Sequence, residues 1–143
     1  MFDFKVAMNI SRLAAVQLMY EKDLLNTTTD LATASFKDYM SQEEIYNGMH
    51  ARFFKKLISH FSDNIDFDSI YKKYLNNSQS MQQSKIIESI IKVAIIETAN
   101  TKTPLPIIIN EYIEIAKDFS TLNEAKMLNA MLDRILKNIN RNG

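Results

Sequence analysis

An all-α fold follows from three observations on this sequence. Apolar residues recur every three to four positions throughout, the period of an amphipathic helix rather than a strand. Only two glycines and two prolines occur in 143 residues, too few to turn the chain through a β protein. Polar breaks separate the apolar stretches, and several have the spacing of a helix start. The many isoleucines favour strands intrinsically, but a sustained period outweighs propensity. A chain that is 46% hydrophobic and 24% charged suits one globular domain with a real core.

The first helix is expected over Val6 to Leu25, where Ile10, Leu13, Val16 or Gln17, Tyr20 and Leu24 recur on one face. A polar break at Asn26 to Asp30 leads to a short helix over Leu31 to Tyr39, which brings Leu31, Ala34 or Ser35, and Phe36 to the core. Ser41 and Glu44 have the capping-box spacing, and a third helix is expected after them along Ile45, Met49, Phe53, Leu57 and Phe61. Gly48 inside it costs about 1 kcal/mol against alanine and is read as a mark of close packing. Asp66 to Leu75 forms another short helix, and Asn76 to Gln83 a polar link.

A second half begins with Ser80 and Gln83 as a cap, followed by Ile86, Ile87, Ile90, Ile91, Ala94 and Ile95, with Val93 and Ile96 extending the apolar surface. A helix apolar nearly all round is a central, buried one. Pro104 and Pro106 end the loop after it and start the next helix, because proline needs no amide partner in a first turn. That helix places Ile108, Ile109, Tyr112, Ile113, Ile115, Ala116 and Phe119 on one side, with Asn110, Glu111, Glu114, Lys117 and Asp118 on the other. Thr121 with Glu124 repeats the capping-box spacing and opens a last helix, whose seam is Ala125, Leu128, Leu132, Ile135 and Ile139. The last two helices can close on each other as an antiparallel pair.

Two stretches carry a resemblance. INEYIEIAKDF, followed by a short capped break and KMLNAMLD, resembles the C-terminal signature of the NusB family, with Ile109, Asn110, Glu111, Glu114, Ala116, Lys117, Phe119, Lys126, Asn129, Leu132 and Asp133 matching in order and spacing. SRLAAVQLMYEKDLL is similar to that family's first helix through Arg12, Ala15, Gln17 and Tyr20. The family usually carries several arginines before that Arg, where this chain has only Lys5. The resemblance implies a NusB-like bundle of about seven helices in two packed helical subdomains, about 1–76 and 80–143. It further implies a non-enzymatic, cytoplasmic transcription antitermination factor acting on ribosomal RNA transcription. Its expected partners are boxA-type RNA, the small ribosomal protein NusE and the RNA polymerase antitermination complex. Two alternatives are the NusB-like domain found at the N-terminus of certain ribosomal RNA cytosine methyltransferases and a helical interaction scaffold with little RNA binding of its own. The chain ends without the Gly-rich cofactor loop that a methyltransferase domain would need, which favours the first reading.

Composition bounds the chemistry. The formal net charge is zero and the isoelectric point near 6.7, so nucleic-acid binding must come from a local patch or a partner. The chain has no cysteine, so disulfides, thiolate metal sites and a cysteine nucleophile are excluded. No apolar run approaches the about eighteen residues that a membrane span requires. No phosphate-cradling glycine loop is present. His50 and His60 lack metal-pair spacing and are read as surface or packing residues. Glu111 and Glu114, with Lys117 beside them, are read as a solvated face rather than an acid/base pair. No cofactor, metal or catalytic residue is expected.

By resemblance, the RNA surface is built from the start of the first helix and the region of the last helix pair, which points to Lys5, Arg12, Tyr74, Lys92, Phe119 and Lys126. Phe119 stands either as a base-stacking ring or as part of the apolar stripe. Tyr20 occupies the position used towards NusE; its other reading is a core tyrosine with its hydroxyl at the surface. Arg134, Lys137 and Arg141, Lys55-Lys56 and Lys72-Lys73 are read as helix-end charge complementarity. Monomer and homodimer both remain open.

Overall fold

The computed structural model describes residues 3–63, 65–75 and 85–141. Among them every regular element is helical: α1 (Phe4–Leu24), α2 (Thr29–Gln42), a 3-10 turn (Glu44–Gly48), α3 (Ala51–Ile58), α4 (Phe67–Leu75), α5 (Lys85–Asn100), α6 (Leu105–Lys117) and α7 (Leu122–Lys137). The protein is all-α. The contacts divide the chain into two units, Met1–Asp63 and Asn64–Gly143. The polar link at 76–83 and the cap expected at Ser80 and Gln83 lie outside the described residues. The short helix α4, which the sequence reading puts in the first half, packs on α7 and belongs to the second unit.

In the first unit α1 is the centre, packed by α2, the 3-10 turn and α3. Asp3 caps it, its carboxylate accepting from the Val6 amide at 3.2 Å. Its buried face is Ala7, Ser11, Ala14, Ala15, Leu18 and Met19, with Arg12 and Val16. This face is rotated from the expected one: Ile10, Leu13 and Tyr20 are half-buried and Leu24 is exposed. The small residues decide the difference, since they let neighbouring backbone approach closely whereas the larger side chains on the adjacent stripe hold it off. Asn26, the one non-glycine residue with positive φ (50°) among those described, turns the chain into α2, as asparagine does more readily than other residues. There Ala32 and Phe36 are the buried residues, while Leu31, Ala34 and Ser35 face solvent.

The single third helix expected from Ser41 onward is a correction. The Ser41 hydroxyl donates to the Asp38 carbonyl at 2.8 Å and so terminates α2 instead of starting a new helix. The 3-10 turn follows, and α3 begins only at Ala51, where Nδ1 of His50 accepts from the Phe53 amide at 3.1 Å. Gly48 sits in that turn, and a Cβ there would meet Cδ1 of Ile10 at 3.3 Å. A side chain there would make the Ile10 methyl give by a few tenths of an ångström. Ser11 pins the junction: its hydroxyl donates to the Ala7 carbonyl at 2.8 Å, with the His50 carbonyl at 3.1 Å as the alternative acceptor, and its oxygen accepts from the His50 amide at 2.9 Å. Tyr46 donates a short hydrogen bond to Oε1 of Gln17, and its ring packs on Phe36 and Tyr39 at 5.8 and 6.0 Å between centroids.

In the second unit α5 is buried from Ile87 to Thr98 on almost every side and packs on α6 and α7. Ile90, Ile91, Ala94, Ile113, Leu128 and Leu132 are core residues as expected, whereas Ile109 is half-buried. Thr121 and Glu124 form the expected capping box, at 3.1 Å (Glu124 amide to Thr121 hydroxyl) and 2.9 Å (Thr121 amide to Glu124 carboxylate). The α7 seam ends at Leu136, with Ile139 beyond the helix. Arg141 then folds back, its Nη2 donating to the carbonyls of Thr101 and Thr103 at 2.7 and 2.6 Å.

Candidate nucleic-acid interface

Lys5, Arg12 and Tyr20 all lie on α1 of the first unit. Lys5 is exposed in the first turn, and Arg12 is two turns further on, about 20° away in helical projection. Arg12 does not reach the surface. It is 3% exposed, its Nη1 donates to Oδ1 of Asn9 at 2.7 Å, and its guanidinium carbon lies 5.2 Å from the centroid of the Phe53 ring. Such a cation–π contact in a desolvated place stabilises packing. Arg12 therefore ties α1 to α3. Tyr20 is half-buried, between its two expected readings.

The other four residues belong to the second unit. Phe119 sits in the turn between α6 and α7, held by its amide on the Ala116 carbonyl at 3.0 Å, and its side chain is 44% exposed. Of the two readings, the turn leaves the ring open to solvent. Lys126 is exposed about one turn into α7, two residues beyond Glu124 of the capping box. Lys92 is half-buried on α5, with Nζ 3.4 Å from Oε1 of Glu88 and 5.5 Å from the Phe67 ring centroid, so part of its charge is already engaged. Tyr74 is half-buried on α4 and carries the Lys73 ammonium 5.2 Å from its ring centroid.

One side chain departs from its expected setting. Glu111 is 8% exposed rather than solvated, and accepts from Nδ2 of Asn110 at 3.2 Å, while Glu114 is exposed and pairs with Lys117 at 2.9 Å. Glu97 is fully buried and accepts from the Tyr112 hydroxyl at 2.8 Å. Nothing in the apolar spacing marked Glu97; its signal was a lone acid inside an apolar run, facing a tyrosine of the next helix. His60 pairs with Asp63 at 2.9 Å. Between α6 and α7 runs a shallow groove of about 550 Å³, with Leu105, Pro106, Ile109 and Ile113 on one wall and Asn129, Asp133 and Lys137 on the other. No group of three His, Cys, Asp or Glu side chains among the described residues could hold a metal ion. No helix among them is long and apolar enough to cross a membrane.

The first unit thus presents an exposed lysine, and the second an exposed lysine and an exposed ring. A family model described as "NusB family" matches residues 9–137 of the chain. The proteins it resembles include "Transcription antitermination protein NusB" of Bartonella tribocorum, 29% identical over 136 residues that cover 90% of this chain and 87% of that one. The protein of the same name from Rhizobium johnstonii is also 29% identical over 136 residues, covering 90% and 85%. That of Mesorhizobium japonicum is 25% identical over 140 residues, covering 93% and 90%.

Proposed function

The chain belongs to the NusB family, and we propose that it is a non-enzymatic transcription antitermination factor that binds boxA-type RNA together with the ribosomal protein NusE. In this reading it acts on ribosomal RNA transcription in the cytoplasm, as part of the RNA polymerase antitermination complex. The observation that carries the proposal is the family match along nearly the whole chain, with relatives named for antitermination.

The placement of the side chains supports a division of labour. Lys5 and Lys126, both exposed, take phosphates, and Phe119 offers an open ring to an unstacked base. Lys92 and Tyr74 contribute from a half-buried surface where a cation and a ring are already paired with protein groups. Arg12 acts through α1 packing rather than by direct contact, and Tyr20 meets NusE with its ring while its hydroxyl stays wet. With few free cations on these positions, counterion release is small and the protein alone binds RNA weakly. A partner that adds basic surface makes the binding cooperative.

The test mixes this protein, its cognate NusE and labelled boxA-type RNA. Ternary complex formation at RNA concentrations where neither protein alone binds supports the reading. Equal RNA capture by NusE with and without this protein overturns it.

A further inference from the structure

The solvent face of α3 is charged in a way that helix chemistry does not explain. Arg52, Lys55 and Lys56 lie within five residues on this eight-residue helix, all three exposed, and no acid stands in its first turn. Lys55 and Lys56 in the last turn complement the helix dipole, but Arg52 stands in the first turn, where a cation is disfavoured. Some lysines elsewhere are answered by carboxylates, as Lys117 is by Glu114 and Lys137 by Asp133. The three α3 side chains make no ion pair or hydrogen bond among the described residues. Asp30 and Asp38 line a groove with Lys37 and Lys55, and the Asp3 carboxylate is used as the α1 cap. In helical projection Arg52 lies between Lys55 and Lys56, about 60° from one and about 40° from the other, and Lys56 is on the flank towards Phe53, whose ring holds Arg12 of α1.

This flank adjoins the start of α1. The His50 amide donates to the Ala7 carbonyl at 3.3 Å, and Phe4 sets its ring edge-on to the His50 ring, 5.7 Å between centroids. Phe4 is 59% exposed and Lys5 beside it is exposed. An exposed aromatic ring next to cations without carboxylate partners is the composition of a single-stranded nucleic-acid surface, where bases stack and phosphates release counterions.

We infer that Arg52, Lys55 and Lys56 on α3, with Phe4 and Lys5 at the start of α1, form an RNA contact surface of the first unit. The three α3 cations bind phosphates and Phe4 stacks on a base. The inference rests on the RNA-binding reading above and assigns it residues on a second helix. Phosphate contacts carry no sequence information, so this surface adds affinity and leaves the choice of sequence to others.

The experiment compares the full chain with its Arg52→Gln/Lys55→Gln/Lys56→Gln variant and with Phe4→Ala, each with NusE, on boxA-type RNA and on an unrelated single strand of equal length. All replaced side chains are exposed, and circular dichroism and thermal melting check that the variants fold. The triple variant is expected to bind both RNAs about tenfold more weakly, with the slope of log affinity against log salt smaller by about two, since each single-strand phosphate contact contributes about 0.7. Phe4→Ala is expected to weaken binding with the salt slope unchanged. If the wild type binds and the folded triple variant binds with the same affinity and slope, the α3 surface is wrong while the family reading stands. If the triple variant keeps its RNA affinity but loses NusE, the stripe serves an acidic protein surface, and the inference is again overturned. If the wild type binds no RNA with or without NusE, both readings fall.

Discussion

Tyr112 and Glu97 meet inside the second unit, where the phenol donates to Oε1 of the carboxylate at 2.8 Å and both side chains are wholly buried. The pair joins α5 to α6 through polar atoms in an otherwise isoleucine-rich setting. Tyr112→Phe keeps the ring and removes one donor from a buried carboxylate, a change that costs about 1–3 kcal/mol. Chemical denaturation should show that loss, with Glu97→Gln in the same background recovering part of it; an unchanged midpoint in Tyr112→Phe would mean that the bond contributes nothing.

Arg12→Glu should unfold more than it unbinds. The substitution removes the bond to Asn9 and the contact over Phe53 and leaves a carboxylate in a place that is 3% exposed. A destabilisation of about 2 kcal/mol or more is expected from the lost charged hydrogen bond and ring contact alone. A variant with wild-type melting temperature and selectively lost RNA binding would return Arg12 to the role of a direct contact.

Phe119→Ala separates base stacking from packing. Because the ring is 44% exposed in the α6–α7 turn, its removal should shift the melting temperature little. RNA capture by the mixture with NusE should weaken by about 1–3 kcal/mol, the range for one base stacked on an aromatic ring. A large stability loss with no change in RNA binding is the contrary result.

Alkaline titration should report Tyr46. Burial, then the neighbouring Tyr39 and Glu43, push its phenol up from 10.0 to about 12. A group whose folded value is raised contributes stability that is complete below its unfolded value and is lost as pH rises through the folded one. The first unit should therefore lose stability between about pH 10 and pH 12, and Tyr46→Phe should remove that component. Phenolate absorbance showing every tyrosine ionised near pH 10 in the folded protein would contradict it.

What the sequence made legible and what it hid have physical causes. The Thr121–Glu124 capping box and the burial of Ile90, Ile91 and Leu128 were readable because both depend on spacing within one helix. The break at Glu44–Gly48 was hidden because Ile45, Met49 and Phe53 keep the four-residue spacing of one α-helical stripe, although a 3-10 turn interrupts the helix among them. Ser41 had the right spacing to Glu44 but found a nearer acceptor in its own helix, the Asp38 carbonyl. The rotated face of α1 was hidden because Ala7, Ser11, Ala14 and Ala15 carry little hydrophobic weight while allowing the closest packing. Of the residues expected at the RNA surface, Lys5, Phe119 and Lys126 are exposed. Arg12 and Lys92 were engaged by Phe53, Asn9 and Glu88, partners that only the fold brings close.

The hold of Arg141 on Thr101 and Thr103 makes the end of the described chain a working part of the connection between α5 and α6. Carboxypeptidase trimming back past Arg141 would hand both carbonyls to water and release Lys102 between them to move more freely. Hydrogen–deuterium exchange on trimmed and untrimmed protein should show the difference at the amides of residues 101 to 103.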